Sequence, residues 1–282
     1  MSCSLGVGLL AKEDTQTILQ HFGGPLEQAM GLSEWALQRA FTRDDWQIVR
    51  AQYNWHIVGN LDWAEEPRIP KIIHHIWLGS PFPEKYEQLR ETWKQHHPDW
   101  EFILWTDEDV AALGLENQTQ YDETPNYGVK SDIVRYEILY RFGGLYVDTD
   151  FECVQPFDVF HHCCDFYSGA AACEWVVIYN GLIACAPGHP VLRFCIDNIC
   201  SSGGKQETGK DIDMRTGPHF FTNCFFSALH ECDGPSVIFP AAYFYPWPHY
   251  HRDKNSREEI LAWLCPETFG IHHWHVSWMK GN

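Results

Sequence analysis

The stretch between Arg68 and Thr106 constrains the fold more than any other part of the chain. "KIIHHIWLG" reads as a strand. "PEKYEQLRETWKQHHP" is bounded by prolines and sets Tyr86, Leu89 and Trp93 on one helical face, and "WEFILWT" reads as a second strand. Strand, helix and strand in that order imply a parallel βαβ unit.

The same alternation continues downstream. After the polar loop "ENQTQYDETPN" the pattern predicts a helix from about Val129 to Arg141, closed by Gly143 and Gly144, and then the strand "LYVDTDF". "FYSGAA" and "WVVIYNGLIACA" read as strands, one helix opens after Pro190 and another after "TGP". The first 65 or so residues read as helical: Ser33 stands as an N-cap before "EWALQRAF", and Leu37, Phe41 and Ile48 are spaced for one buried face. That region carries no chemical motif and reads as a lid or packing element. The expected organisation is an N-terminal helical extension over residues 1–66, followed over 67–282 by an α/β domain with a Rossmann-like, mostly parallel sheet flanked by helices.

Charge narrows the partners. Twenty Lys and Arg stand against 38 Asp and Glu, a formal charge of -18, which argues against nucleic acid and against an anionic membrane surface. No window approaches the roughly 18 consecutive apolar residues of a membrane span. The N-terminus lacks the basic region of a signal peptide. The 11 cysteines lie mostly in apolar settings without a CxxC pair and read as reduced core residues, from which a cytoplasmic location is expected.

The chemistry concentrates in "RFGGLYVDTD". On a strand, residues two apart share a face, so Asp148 and Asp150 converge while Thr149 points away. They stand where an open parallel sheet binds ligands, beyond the carboxyl end of an apolar strand. Two adjacent carboxylates there need a cation, and hard oxygen ligands without cysteine suit Mn²⁺ or Mg²⁺. A metal held this way neutralises a departing diphosphate, the requirement of transfer from a nucleotide-diphosphate donor.

"KSDIVRYEILYRFGGLYVDTD" resembles the signature of glycosyltransferases with the DXD sugar-binding region, a family that includes the yeast initiating α-1,6-mannosyltransferases and bacterial capsule enzymes. It is also similar to the catalytic domains of the large clostridial glucosylating toxins. "IPKIIHHIWLG", "HPDWEFILWTDED", "TGPHFFT" and "HHWHVSW" extend the resemblance over about Ile69 to Trp278. It implies a GT-A fold and metal-dependent transfer of a hexose to a hydroxyl acceptor such as a glycan, with the α configuration retained. A UDP-sugar is the first expectation for the donor and GDP-mannose the competitor.

Carried onto this sequence, the resemblance implies donor contacts from Asp132 and Arg135, with an exposed helical ion pair as the alternative. Asp148 and Asp150 would hold metal and diphosphate. Tyr146 would line the donor pocket, and Trp77 would stack on the base unless it is a core residue. Thr106, beside Trp105, would touch ribose or base. In the tail, His275 is chosen for the metal over His273 and His272, with Ser277 and Trp278 closing over the diphosphate. Asn180 would lie beneath the sugar, where it offers no acid; an Asn-Gly hairpin turn is the rival reading. A catalytically silent nucleotide-sugar binder and a nucleotide-diphosphate hydrolase are the competing functions.

Overall fold

The computed structural model describes residues 25–203, 207–253 and 256–275. β1 (Ile72–Ile76) pairs in parallel with β2 (Glu101–Trp105), and the helix between them, Glu84–His96, buries Tyr86 and Trp93. β3 (Gly144–Val147) lies on the other side of β1, also in parallel. A short β4 (Phe151–Cys153) leaves the sheet. β5 (Phe166–Ala170) and β6 (Ile178–Cys185) follow, then β7 (Ser236–Phe239) and β8 (Gly270–His272).

The main sheet has the order β2-β1-β3-β6-β5-β7, and β4 and β8 form a separate antiparallel ribbon. β6 runs against both its neighbours, while β5 and β7 return to the direction of β1. The fold is therefore α/β with a mostly parallel sheet. The start of β6 consequently lies at the edge where β1, β2 and β3 end.

We label as α1 to α4 the helices Glu34–Ala40, Asp44–Tyr53, Glu84–His96 and Asp107–Leu113, and as α5 the helix Tyr127–Phe142. α5 is buried along most of its length, Asp132, Arg135 and Glu137 included. Glu137 accepts the backbone N–H groups of Glu116 and Asn117 at 2.9 and 2.8 Å and an Arg141 guanidinium N–H at 2.7 Å. The chain turns from α5 into β3 through Gly143 (φ 64°) and Gly144 (φ 91°), and a Cβ on Gly144 would approach Ile72 O to 2.7 Å. Only glycine combines that backbone with that proximity.

Ser33 caps α1, accepting the Ala36 N–H. The buried face of α2 differs from the expected one: Ile48 is 40% exposed, and Trp46, Val49 and Tyr53 point inward. Residues 26–57 share one hydrophobic core with the sheet, and Tyr53 packs against Phe239 and hydrogen-bonds the Tyr243 hydroxyl. Among the described residues no helix is long and apolar enough to cross a membrane, and the cysteines carry no disulfide.

Candidate active site

β3 ends at Val147, one residue before the first carboxylate. The Asp148 N–H donates to Gly181 O at 2.8 Å as the last rung toward β6, and the Phe151 N–H donates to Asp148 O at 3.0 Å, closing a turn. Asp148 and Asp150 therefore converge through a tight turn, not through strand alternation as the sequence predicts. A Cβ on Gly181 would reach Asp148 Oδ2 at 2.6 Å, so the absence of a side chain there makes room for the carboxylate.

The ribbon supplies the third group. Pairing of Phe151 with His272 stacks the two rings 4.7 Å apart and sets His272 Nε2 3.0 Å from Asp150 Oδ1 and 3.6 Å from Asp148 Oδ2. One ligand atom from each of Asp148, Asp150 and His272 lies within 4.8 Å of the others. The Asp150 side chain is 8% exposed and that of Asp148 28%.

Burial raises the Asp148 carboxyl above its ordinary range, and the nearby Arg135 guanidinium does not cancel the effect. Burial acts on Asp150 too, but His272 and the His275 backbone N–H, 2.6 Å from Oδ2, outweigh it and hold this carboxyl low. Two carboxylates and an imidazole nitrogen fit Mn²⁺ or Mg²⁺, the nitrogen favouring the transition metal. His272 Nδ1, buried and without a partner among the described residues, is free to carry the imidazole proton while Nε2 serves as ligand.

α5 and β6 build the floor. Residues three apart on α5 share a face, so Asp132 and Arg135 meet at 3.2 Å. They form a buried network, not an exposed pair. Arg135 donates to Asn180 O at 2.6 Å, lies 3.4 Å from Asp148 Oδ1, and sits over the Tyr146 ring at 4.4 Å. The Tyr146 hydroxyl donates to Asp148 Oδ1 at 2.6 Å.

Asn180 sits inside β6, not in a hairpin turn. Its Nδ2 faces Asp132 Oδ1, the Tyr136 hydroxyl and Thr216 O at 2.9, 3.1 and 3.3 Å. Thr216 Oγ1 donates to the other Asp132 oxygen at 2.8 Å. Burial pushes the Asp132 carboxyl up to about 6, with Arg135 the largest opposing influence.

The remaining predicted residues divide. Trp77 is half-buried beside the cleft, its Nε1 donating to Ser80 Oγ at 3.0 Å and its ring against Phe82 and Tyr86. Thr106 caps α4 together with Asp109 and does not line the cleft, and Trp105 is buried with its N–H on His74. His275 meets Asp150 through its backbone, whereas His272 brings its ring to both carboxylates. Ser277 and Trp278 lie outside the described residues.

Trp77, Asp132, Arg135, Tyr146, Asp148, Asp150, Asn180, His272 and His275 all line one cleft of about 500 Å³, a ligand-sized volume. Sequence reasoning passed over His272 in favour of His275 and missed Thr216. The signal for each was present, His272 in "HHWHVSW" and Thr216 in "TGPHFFT".

Residues 83–165 match the family described as "Glycosyltransferase sugar-binding region containing DXD motif". Over those residues the chain is similar to these glycosyltransferases, in line with the resemblance in its sequence. It is 30% identical to inositol phosphoceramide mannosyltransferase 1 of Schizosaccharomyces pombe over 63% of this chain and 58% of that protein. It is 25% identical to the initiation-specific alpha-1,6-mannosyltransferase of Candida albicans, over 59% and 55%. The chain thus spans little more than half the length of these relatives. Among solved structures, the PaToxG glycosyltransferase aligns with a TM-score of 0.48 at 18% identity, over 68% of this chain and 79% of that one.

Proposed function

We propose that the cleft transfers a hexose from a nucleotide-diphosphate sugar to a hydroxyl acceptor, with retention at the anomeric carbon. The observation that carries this reading is the meeting of Asp148, Asp150 and His272 with the Asp132–Arg135–Asn180 floor in one cleft at the carboxyl edge of the sheet. Asp148, Asp150 and His272 would hold Mn²⁺ or Mg²⁺, which supplies charge neutralisation to the diphosphate. Asp132 and Arg135 would bind the sugar hydroxyls, and Trp77 would stack on the base.

Asn180 positions rather than reacts, because its amide nitrogen is already donated to three oxygens. Asp132 is the nearest acid to it, but both carboxylate oxygens are occupied by Asn180 and Thr216, which makes it a poor nucleophile. These features favour a one-face route: the acceptor oxygen bonds to the anomeric carbon as the carbon–oxygen bond to the diphosphate breaks, and the acceptor proton passes to the departing diphosphate.

The first expectation from sequence is a UDP-sugar. Relatives whose names specify mannosyl transfer support mannose as the sugar and GDP-mannose as the donor. The experiment is turnover of GDP-mannose, UDP-glucose and UDP-N-acetylglucosamine with Mn²⁺, Mg²⁺ or EDTA, product anomers being followed by NMR. Consumption of GDP-mannose that stops in EDTA and gives first an α product supports the reading. Undiminished turnover in EDTA, or an initial β signal, overturns the metal or the stereochemistry respectively.

A further inference from the structure

The two sides of the cleft differ. The sheet order sets the Asp148 turn, after β3, between the end of β1, where Trp77 stands, and the start of β6, where Tyr179 stands. On the β6 side three rings close a triangle. Tyr179 and Trp274 meet edge to face with centroids 5.1 Å apart, His249 and Trp274 do so at 5.8 Å, and the Tyr179 hydroxyl lies 3.4 Å from His249 Nδ1. All three line the cleft, and none is fully buried.

Trp274 is held in an unusual pose. At φ 55° it is the one non-glycine residue with positive φ among the described residues, a conformation that bulky side chains avoid. Its Nε1 donates inward to Trp247 O at 2.7 Å, and its ring packs 4.2 Å from that of His272. Such strain persists where surrounding structure enforces it, and it clusters at ligand sites. The indole N–H is thus satisfied on the protein side while apolar ring surface is left beside the reacting centre.

A hydroxylated six-membered ring matches this surface. Its axial C–H bonds form a weakly positive apolar face that complements the negative face of an aromatic ring, and its hydroxyls project sideways, toward the Tyr179 and His249 polar atoms. We propose that Tyr179, His249 and Trp274 are the acceptor platform, taking the C–H face of a sugar or cyclitol ring. The proposal rests on the transfer reading above, which gives the Asp132–Arg135 floor to the donor sugar and leaves this wall for the acceptor. An acceptor hydroxyl presented from the wall would enter beside Asp148, on the side away from Trp77.

The test uses the full chain with Mn²⁺ and GDP, and saturation-transfer NMR with methyl α-D-mannopyranoside, myo-inositol and, as an acyclic control, sorbitol. Ring C–H protons of a cyclic probe should saturate and those of sorbitol should not, and the stronger of the two cyclic probes identifies the source of the ring. Trp274→Ala should weaken that probe about tenfold, by analogy with the loss of an aromatic stacking partner, and Trp274→Phe should restore most of the signal. Tyr179→Ala, on a different element, should act in the same direction. GDP affinity, titrated in the same samples, should be nearly unchanged. Equal saturation of sorbitol, full probe binding by both alanine variants, or a parallel collapse of GDP affinity would each overturn the platform. Failure of the wild-type protein to bind any nucleoside diphosphate would instead sink the transfer reading.

Discussion

On the floor of the cleft, Asp132, Arg135, Asn180 and Thr216 direct their polar groups at one another. On its wall, Tyr179, His249 and Trp274 touch mainly by their rings and leave surface open. The floor is buried and assembled before anything binds. The wall is only partly buried, and one of its members sits on a strained backbone. The contrast teaches that a site for charged, fixed geometry is built by internal satisfaction of polar groups, which preorganises it, whereas a site for a neutral polyol needs shape and exposed aromatic area. Substitutions on the floor should therefore cost both fold and function, and those on the wall should cost affinity alone.

The largest effect expected is on the scaffold that both regions share. Burial lowers His74 and His189 to about 4, and His75 and His161 to about 3. These histidines are neutral when folded and protonate near 6.5 when unfolded, so the unfolded state binds more protons between those values. Stability is complete above pH 6.5 and falls as pH drops toward 4, by on the order of 1 kcal/mol or more for each histidine. Urea unfolding at pH 7 and pH 5 measures this; equal midpoints would contradict the buried neutral state. The floor and wall are best compared above pH 6.5.

Next comes Asp150→Asn, which should reduce turnover and metal-dependent nucleotide affinity by about a hundredfold or more, since even partners of metal ligands cost 10- to 100-fold. It should also lower the unfolding midpoint, because the ionised carboxylate is held by His272 and the His275 N–H. Asp148→Asn should leave the midpoint level or raise it, because burial disfavours that charge. Calorimetry of the two variants decides, and equal shifts would erase the asymmetry. Asn180→Ala should cost about 1 kcal/mol of stability by removing one donor each from Asp132 Oδ1 and Thr216 O, which keep Arg135 and the Tyr136 hydroxyl, together with donor affinity. A variant that kept its midpoint and lost only acceptor affinity would move Asn180 from floor to wall. The mildest change is Gly181→Ala, whose Cβ displaces the Asp148 carboxylate. Isothermal titration should show weaker Mn²⁺ binding with the fold intact.

Much of the scaffold is legible in the sequence because periodicity reports burial. The β1–α3–β2 unit, α5 and the strands to β6 follow their apolar patterns closely. The DXD turn is not, since "YVDTD" fits strand alternation as well as it fits a strand that stops at Val147. α2 misleads for another reason: Ile48 has the right spacing from Leu37 and Phe41, but Leu37 lies in a different helix, Phe41 caps the end of that helix, and the break over residues 41–43 resets the phase.

The choice of His275 depends on an extended tail. β8 ends at His272, and the left-handed turn at Trp274 destroys the alternation beyond it. No residue type announces a left-handed tryptophan. The pairing of Phe151 with His272, a contact across more than a hundred residues, decides which histidine arrives, and a single sequence carries no trace of that register.

Glu137 bears on all of this from the back of α5. A helix turns about 100° per residue, so Glu137 faces away from Arg135 by nearly half a revolution. Its three hydrogen bonds fasten that rear face to the loop at 116–117 and to Arg141. A helix buried nearly all round has little apolar preference for one rotational setting over another, because every setting hides it equally well. The carboxylate acts as the key in the shaft: it sets the angular phase at which Asp132 and Arg135 meet the cleft, from a position outside the lining of that cleft.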